Sequence, residues 1–500
     1  MLFKRLICLC LICVMTFGSF SLAEEAQPAT YVMAGYDSSE YRDWKTNTFF
    51  LRMEAHSGIL FTYQQYNKAD KWQAAKKAML NGKDLPDILF KAGLTALESM
   101  EMLEKGVLID LKPYLEENCP NLWAILQENP EYMEAITLPD GRIAALPYIS
   151  TTPIQNYIWI NKAWLEQLHI KMPTTKEELV SVLEAFKTKD PNQNGRLDEI
   201  PMGFLGPFDL KFLAHAFGMI ANDYNIYEEE GKVHFMPLHE NFREFITWCR
   251  DLYVRGILDH EGFFTSNSFR QVTDSDAVPT YGTIITPVAA DLFPVSWGTD
   301  YVILDPLVYE GKQIYRDLTG DVIRGTFAVT SACKEPEKML QWVDYLYSEE
   351  GAILAGIGKV GEDILVAEDG TWGLTETAKN TTLFSSANLI TGSPYPGILP
   401  DDFQRKFADN SLLRETVEMQ DRVKAVARRP FPYYTLTQAQ VDEITPLQNE
   451  IGYYVDMQIA RWVLGEIEIS DETFAEFEKT LEEKGISVFL AFWQDILDKR

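Results

Sequence analysis

The 500-residue sequence predicts an α/β protein built as at least two lobes. Three observations lead there. The chain is too long for one hydrophobic core, since chains beyond roughly 250–300 residues split into domains. Strand and helix patterns alternate from Tyr31 to Phe90, as they do when helices cover a largely parallel sheet. Beyond an apolar leader, no stretch approaches the roughly 20 apolar residues that span a bilayer, so the mature chain reads as soluble and exported.

The elements follow in order. Lys4 and Arg5 form a basic start, Leu6 to Phe20 is apolar, and Ser21-Leu22-Ala23 supplies small residues for cleavage. Residues 1–23 therefore read as a secretory signal peptide cut near Ala23, in preference to an uncleaved anchor. Tyr31–Ala34 reads as a strand and Gly35–Ser39 as the loop after it. Asn47–Glu54 starts a helix, and Leu60–Tyr66 alternates bulky and polar residues as a strand does. Lys71–Leu80 sets Trp72, Ala75 and Met79 at helical spacing, and Asn81-Gly82 stops it. Asp87–Phe90 is a short buried strand. Asp140-Gly141 reads as a turn between two short strands, Tyr157–Asn161 as a strand and Asn161–His169 as a helix. Pro173-Thr174-Thr175 precedes the helix Lys176–Phe186, and Thr175 with Glu178 fits a capping box. Asp209–Phe217 and Asn241–Tyr253 are helical, with a hairpin turn at Glu228–Gly231 and its return strand Lys232–Met236 between them. Tyr301–Asp305 and Thr326–Thr330 are strands, Glu335–Tyr347 is a helix, and Gly370 tips a hairpin. Gln438–Val463 is a long helix broken around Pro446, and Asp471–Lys484 and Val488–Asp498 close the chain.

After the helix ending at Phe186 comes Asp190-Pro-Asn-Gln-Asn-Gly-Arg-Leu-Asp-Glu-Ile-Pro201. Oxygen side chains at Asp190, Asn192, Asn194 and Asp198 can be aimed at one centre by a tight loop. Gly195 stands where such a loop turns, and Arg196 offers its backbone carbonyl. Hard oxygen ligands on a short flexible loop suit Ca²⁺ better than Mg²⁺ or a transition metal. The first half follows the EF-hand spacing. The second half departs from it, because Pro201 stands where the closing bidentate Glu belongs, and Glu199 is the natural replacement. The expected ligands of a structural calcium ion are therefore Asp190, Asn192, Asn194, Arg196, Asp198 and Glu199. The same residues also favour an ordinary Asn/Gly turn.

Asp and Glu number 74 against 45 Lys and Arg, a formal net charge of −29, and signal cleavage removes two more positive charges. Such a surface repels nucleic acid and anionic lipid and favours solubility. Three cysteines remain after cleavage, Cys119, Cys249 and Cys333. An odd, scattered trio is neither a disulfide framework nor a zinc site. One pair can still form, and Cys249 in a helical pattern reads as a small buried apolar residue.

Several segments together resemble the extracellular solute-binding proteins of bacterial ABC importers, in the branch with alginate- and other oligosaccharide-binding members. They are Leu85-Pro-Asp-Ile-Leu-Phe90, Asp110-Leu-Lys-Pro-Tyr-Leu-Glu-Glu-Asn118, Asp140-Gly-Arg-Ile-Ala-Ala-Leu-Pro147, Trp159–Leu168 with Pro173-Thr174-Thr175, Thr326–Gly351 and Gly465–Arg500. The series spans nearly the whole mature chain, and its order and spacing are more specific than any one motif. The resemblance implies a two-lobe periplasmic-binding-protein-like fold with a hinge and an interlobe cleft. Residues 24–150 and about 290–345 would form an N-terminal lobe, and 151–289 and about 346–500 a helix-rich C-terminal lobe carrying the acidic loop. It also implies an oligosaccharide ligand, a membrane permease as partner, a monomer, and calcium in the loop away from the sugar. Two departures stand out. Cys8, Cys10 and Cys13 lie inside the leader's apolar run, with Ile7 and Ile12 before Cys8 and Cys13, so no lipid-attachment cysteine is evident. A Gly-Ile-x-Gly segment of the family is altered to Gly356-Ile-Gly-Lys-Val-Gly361.

That last segment spells G-x-G-x-x-G, but a dinucleotide fingerprint needs a strand before it, and Trp342–Leu354 reads as a helix. His234 and His239 read as structural or surface residues. No nucleophile or metalloprotease motif appears, and the chain reads as a binder, not an enzyme. A sugar cleft needs aromatic faces ringed by polar groups. Candidates at strand ends are Tyr36, Asp37, Trp44, Tyr148, Trp159 and Trp297, and core packing is the competing reading for each. Paired carboxylates keep a calcium-stabilised polysaccharide hydrolase as an alternative, and a partner of a membrane sensor is a further one.

Overall fold

The computed structural model describes residues 30–39, 41–150, 156–264, 278–287, 300–316, 321–381, 383–399, 401–406 and 411–499. The leader and Trp297 lie outside the described residues. The strands are β1 (Thr30–Tyr36), β2 (Leu60–Tyr66), β3 (Ile88–Phe90), β4 (Leu146–Ser150), β5 (Tyr157–Asn161), β6 (Ile200–Gly203), β7 (Ile226–Glu229) and β8 (Lys232–Phe235). They continue as β9 (Tyr281–Thr286), β10 (Tyr301–Ile303), β11 (Tyr315–Arg316), β12 (Asp321–Val329), β13 (Ile364–Val366), β14 (Trp372–Leu374), β15 (Gly397–Leu399) and β16 (Ala427–Arg428).

Two sheets organise the chain. The first has the order β15-β4-β12-β3-β1-β2, the second β10-β5-β9-β6. Period-two alternation sorts the first sheet's side chains onto two faces. Met33, Ile88, Phe90, Phe327 and Val329 face a core with Phe49, Leu122 and Trp342. Ala34, Leu89 and Ala328 face the other core, with Trp72, Met79 and Met102. In the second sheet, Ile158, Ile160, Met202 and Ile285 join a large helical core, while Trp159, Ile284, Tyr301 and Ile303 line the opposite face. At about 25 cal/mol per Å² these apolar faces dominate stability.

The chain crosses between sheets after Ser150 and again before Asp321. The helix Ser411–Val423 then returns it to the second sheet, where Glu415 accepts a hydrogen bond from Ile303 N at 3.0 Å. Two segments therefore change lobe relative to the sequence expectation. Residues 300–316 belong with the second sheet, because β10 pairs with β5. Residues 346–399 belong mainly with the first, because Leu346, Tyr347, Leu354, Ile390 and Tyr395 fill its core and β15 pairs with β4. Pairing partners far apart in sequence decide this, and local pattern does not carry them.

Other differences are local. The first sheet is mixed, since β12 runs antiparallel to both β3 and β4, and the second is mostly antiparallel. The helix Gln438–Leu464 runs unbroken through Pro446. Proline removes one hydrogen bond there, but the buried stripe Ile444, Ile451, Val455, Ile459 and Trp462 holds both halves on one core. No strand precedes the Asp140-Gly141 turn, which Leu138 and Arg142 close by backbone bonding. Thr175 caps its helix by accepting from Glu178 N at 3.2 Å, but Glu178 takes Thr174 N instead of completing the box. Glu349–Gly356 is a separate helix before Gly356–Gly361, and β13 follows, so no nucleotide-binding turn forms. Cys119 and Cys249 are buried and free, as is the half-buried Cys333.

Gly325 sits at the irregularity between β12 and β4 with φ +74°, and an added Cβ would stand 2.0 Å from Leu94 O. Gly325→Ala is expected to lose about 2–4 kcal/mol from left-handed strain and the displaced backbone, measured by urea unfolding.

Candidate ligand site and acidic loop

A recess opens on the second lobe beside the two chain crossings. Its floor is the turn from Gly206 to Phe217. Pro207 starts a short helix, Gly206–Leu210, which tightens into a 3-10 turn, Lys211–Phe217, and Gly218 at φ +74° ends it. Leu210, Leu213, Ala214 and Phe217 are buried in the lobe's core. The remaining face of the turn lines the recess with Phe208, Lys211, Phe212 and His215. Asn156, just after the first crossing, and Tyr315 and Arg316, just before the second, complete the wall with Asn222 and Asn225. The cavity itself is shallow, about 30 Å³, and opens to solvent at its mouth.

Aromatic faces and hydrogen-bonding groups meet here. Phe208 is 37 % exposed and stands edge-on to Phe212, ring centres 5.4 Å apart. The Lys211 ammonium lies 5.2 Å from the Phe208 ring and the Arg316 guanidinium 5.2 Å from Phe212. Both cations are already engaged. Lys211 Nζ reaches Asn225 Oδ1 at 3.0 Å and Asp456 at 3.2 Å, and Arg316 donates to Ala221 O and to Asp223. Asp209, on the same turn, is buried and accepts from Leu205 N at 2.7 Å and from Asn156 Nδ2 at 2.5 Å. Burial pushes its pKa up to about 7 against the pull of those two bonds. His215 is buried with Nδ1 2.7 Å from Phe212 O, and burial lowers its pKa to about 4.

The residues singled out by sequence do not form this recess. Asp37 is fully buried, and its carboxylate takes Arg42 at 2.8 Å, Lys91 Nζ at 2.9 Å, Trp44 Nε1 at 3.3 Å and Ser39 N at 3.1 Å. Burial opposes its charge, but Lys91 and Arg42 hold its pKa below the ordinary value. Burial lowers the pKa of Lys91 to about 8, and this amine also donates to Ile390 O. Trp44 is fully buried among Phe50, Tyr63 and Phe90. Trp159 is fully buried and donates to Thr286 O at 3.1 Å. These three are corrected from ligand contacts to structural residues, because no face or polar atom of theirs is left open. Tyr36 is half-buried at the end of β1, packed on the first lobe's core. Tyr148 is half-buried against Tyr395 at 5.1 Å, and burial raises its pKa to about 12. The missed residues had one signal: Phe208 and Phe212, four apart, lie off the Leu210, Leu213, Ala214, Phe217 stripe.

The acidic loop closes on itself. Asp190 Oδ1 and Oδ2 accept from Asn194 N and Gly195 N at 3.1 and 3.0 Å. Asn192 Oδ1 also accepts from Asn194 N, and its Nδ2 reaches Pro279 O at 3.1 Å. Asn194 Oδ1 accepts from Arg196 N, and its Nδ2 donates to Asp198 at 2.9 Å. Gly195 takes φ +78°, as the turn requires. Glu199 differs from its neighbours. It is 7 % exposed, and neither carboxylate oxygen has an aligned hydrogen-bond partner. Burial raises its pKa, with Asp190 and Asp198 adding to the shift, while the backbone N–H groups of Glu199 and Asn192 lower it. Among the described residues no three His, Cys, Asp or Glu side chains converge as a preformed metal cluster.

Two sheets joined by repeated crossings, with a recess where the chain crosses, define a two-lobed binding-protein architecture. The chain belongs to the bacterial extracellular solute-binding protein family, whose model matches residues 38–353. It is similar to the fructooligosaccharide ABC transporter substrate-binding protein FusA of Streptococcus pneumoniae, at 28 % identity over 472 residues, 90 % of this chain and 86 % of that one. The structure of FusA with kestose superposes with a TM-score of 0.71 at 25 % identity, covering 94 % of this chain and 99 % of the other. An extracellular solute-binding protein from Bifidobacterium longum subsp. infantis gives a TM-score of 0.77 at 20 % identity, covering 94 % and 98 %.

Asp209 sets a pH test. Its folded pKa of about 7 lies above the ordinary 3.8, so folding takes up a proton between those values. Its contribution is fully favourable below about pH 4 and is lost as pH rises through 7. Asp209→Asn is expected to melt higher relative to wild type at pH 8 than at pH 5, a change on the order of 2–4 kcal/mol, read by thermal unfolding at both pH values.

Proposed function

We propose that this chain is the exported, monomeric solute-binding component of an ABC importer, holding an oligosaccharide in the recess and delivering it to a membrane permease. The observation that carries the reading is the recess itself, where Phe208 and Phe212 offer apolar faces and Asn156, Asn222 and Asn225 offer amides around them. Sugars present just this pairing, with C–H faces for rings and hydroxyls for amides. The likeness to FusA over most of both chains supports it. Asn156 and Arg316 flank the two crossings, so a ligand touching both favours one relative setting of the lobes. The protein binds and releases its solute without covalent change.

Kestose, present in the FusA structure, is the first probe. Titration calorimetry against kestose and a glycan panel is expected to give one site. Phe208→Ala, on the rim, is expected to weaken binding roughly tenfold. A panel with no binder, or turnover of any glycan, rejects the reading.

The acidic loop is proposed to hold a structural Ca²⁺ through Asp190, Asn192, Asn194, Arg196 carbonyl, Asp198 and Glu199. Glu199 supports it: a buried carboxylate with only poorly aligned backbone N–H groups beside it is costly unless a cation neutralises it. The ion would supply charge neutralisation alone, with no part in ligand chemistry. Calcium at about a hundred times its Kd should stabilise the fold by about 2.7 kcal/mol. Asp190→Ala is expected to abolish the rise in Tm, with ligand affinity otherwise little changed. Equal melting in calcium and in chelator counts against an ion.

A further inference from the structure

Arg324 stands where β12 breaks its pairing with β4. Ile323 pairs with Tyr148 and Phe327 with Leu146, so Arg324, Gly325 and Thr326 lie opposite Pro147 alone. Proline has no N–H to give the ladder, and the extra residues of β12 bulge. Bulges re-aim side chains, and this one is firmly held. Gly325 takes φ +74°, Leu94 N donates to Gly325 O at 3.0 Å, Ala92 N to Thr326 O at 3.0 Å, and Thr326 Oγ1 to Leu146 O at 2.8 Å. From that bulge the arginine grips a segment of the other lobe. It donates to Thr435 Oγ1 at 2.6 Å and to Tyr434 O at 3.3 Å.

The gripped segment, Arg429–Thr437, is in turn fixed to the second lobe. Pro430 O accepts from Glu228 N at 2.7 Å, Phe431 is buried in that lobe's core, and the Tyr434 ring stands 4.7 Å from Trp493. Thr437 caps the long helix Gln438–Leu464. Tyr433 turns the other way and packs on the first lobe's core, with the Arg429 guanidinium 4.0 Å from its ring. The segment runs on from β16, which pairs with β11. β11 carries Tyr315 and Arg316 of the recess wall, set against His215 and Phe212.

We infer that Arg324 is a positioning residue for solute binding: its clamp on Tyr434 and Thr435 latches the lobes in the setting that keeps Tyr315 and Arg316 against the recess floor. It touches no solute itself. The effect on affinity rests on the carbohydrate reading above, whereas the latch is measurable without a solute. When the latched setting is populated less often, the apparent affinity falls in the same proportion.

Wild type, Arg324→Ala, Thr435→Val, the double variant and Arg324→Lys test this. Valine keeps the shape of threonine and removes only the acceptor. Small-angle X-ray scattering of the solute-free proteins reads the lobe setting, and calorimetry with kestose reads the affinity. Arg324→Ala and Thr435→Val are each expected to show a larger radius of gyration than wild type and to bind kestose roughly fivefold to tenfold more weakly. The double variant is expected to match Arg324→Ala, because the two side chains share one bond. Lysine keeps one donor group and is expected to restore part of both readings. An unchanged radius in Arg324→Ala and Thr435→Val overturns the latch, whatever the affinity does. A larger radius with wild-type affinity for kestose overturns the positioning role. If no glycan binds wild type, the carbohydrate reading fails, and the scattering still decides the latch.

Discussion

The structure depends on a connectivity constraint: its two sheets share no strand, yet the first is not contiguous in sequence and the second is inserted within it. β12 and β15 complete the first sheet from the far side of the second. The chain must therefore cross repeatedly, and residues next to those crossings become the walls of the recess. β11 and β16 lie in parallel beside one another, Tyr315 against Ala427 and Arg316 against Arg428, so an outgoing and an incoming strand are bonded together there. From the first lobe, Arg324 on β12 reaches Thr435 Oγ1 at 2.6 Å, just past β16. Asn156 anchors the first crossing to the floor through Asp209. A solute in the recess thus touches the segments whose geometry sets how the lobes stand.

Polar burial is handled differently at two places. In the first lobe Asp37 collects two cations, an indole and a backbone amide, and Lys91 carries the connection on to Ile390. This buried charge cluster, in which Arg42 Nε is left without a partner, ties the end of β1 to the segment around Ile390, and removing one member would strand the others. In the recess Lys211 is bonded to Asn225 and Asp456, but Arg316 Nε and His215 Nε2 are both buried without a partner among the described residues. An unpaired buried atom costs more than a paired one returns, so these atoms subtract from the stability that the bonded ones supply.

The parts of the fold that read clearly in the sequence are those governed by local periodicity. β2 alternates bulky and polar residues as strands do, β1 and β3 are short apolar runs bounded by loop residues, and the helices after Asn47, Thr175 and Ser470 carry their own caps. Membership in the family was legible because its motifs keep their order along the chain. β9, buried along its full length and paired with both β5 and β6, passed unmarked, since a short apolar run cannot be told from a buried helix turn by pattern alone. The recess was illegible for a related reason. Asn156, Phe208, His215 and Arg316 come from separate segments, and only strand pairing brings them together. Trp44 and Trp159 misled because a large aromatic beside a loop looks the same in sequence whether it faces a cleft or a core. Only what packs on the ring decides, and here Phe90 packs on Trp44 while Trp159 is buried with its indole N–H on Thr286 O of the neighbouring strand.

The acidic loop and the recess are chemically separate but mechanically adjacent. The loop is pinned at one side by Asn192 to Pro279 and at the other by Ile200 N to Thr280 O, the two residues that lead into β9. Glu199 runs directly into β6, and Thr283 on β9 holds Pro201 O at 2.8 Å. β6 then delivers the chain to Gly206, where the recess floor begins. A cation that relieves the buried charge of Glu199 would fix the register of β6 against β9, and with it the height at which Phe208, Phe212 and His215 are presented. It would do so from outside the recess, as a constraint on the strand and not as a contact to the solute. Such an ion would change how often the floor is correctly formed more than what the floor recognises, so stability is expected to respond to it more strongly than selectivity does.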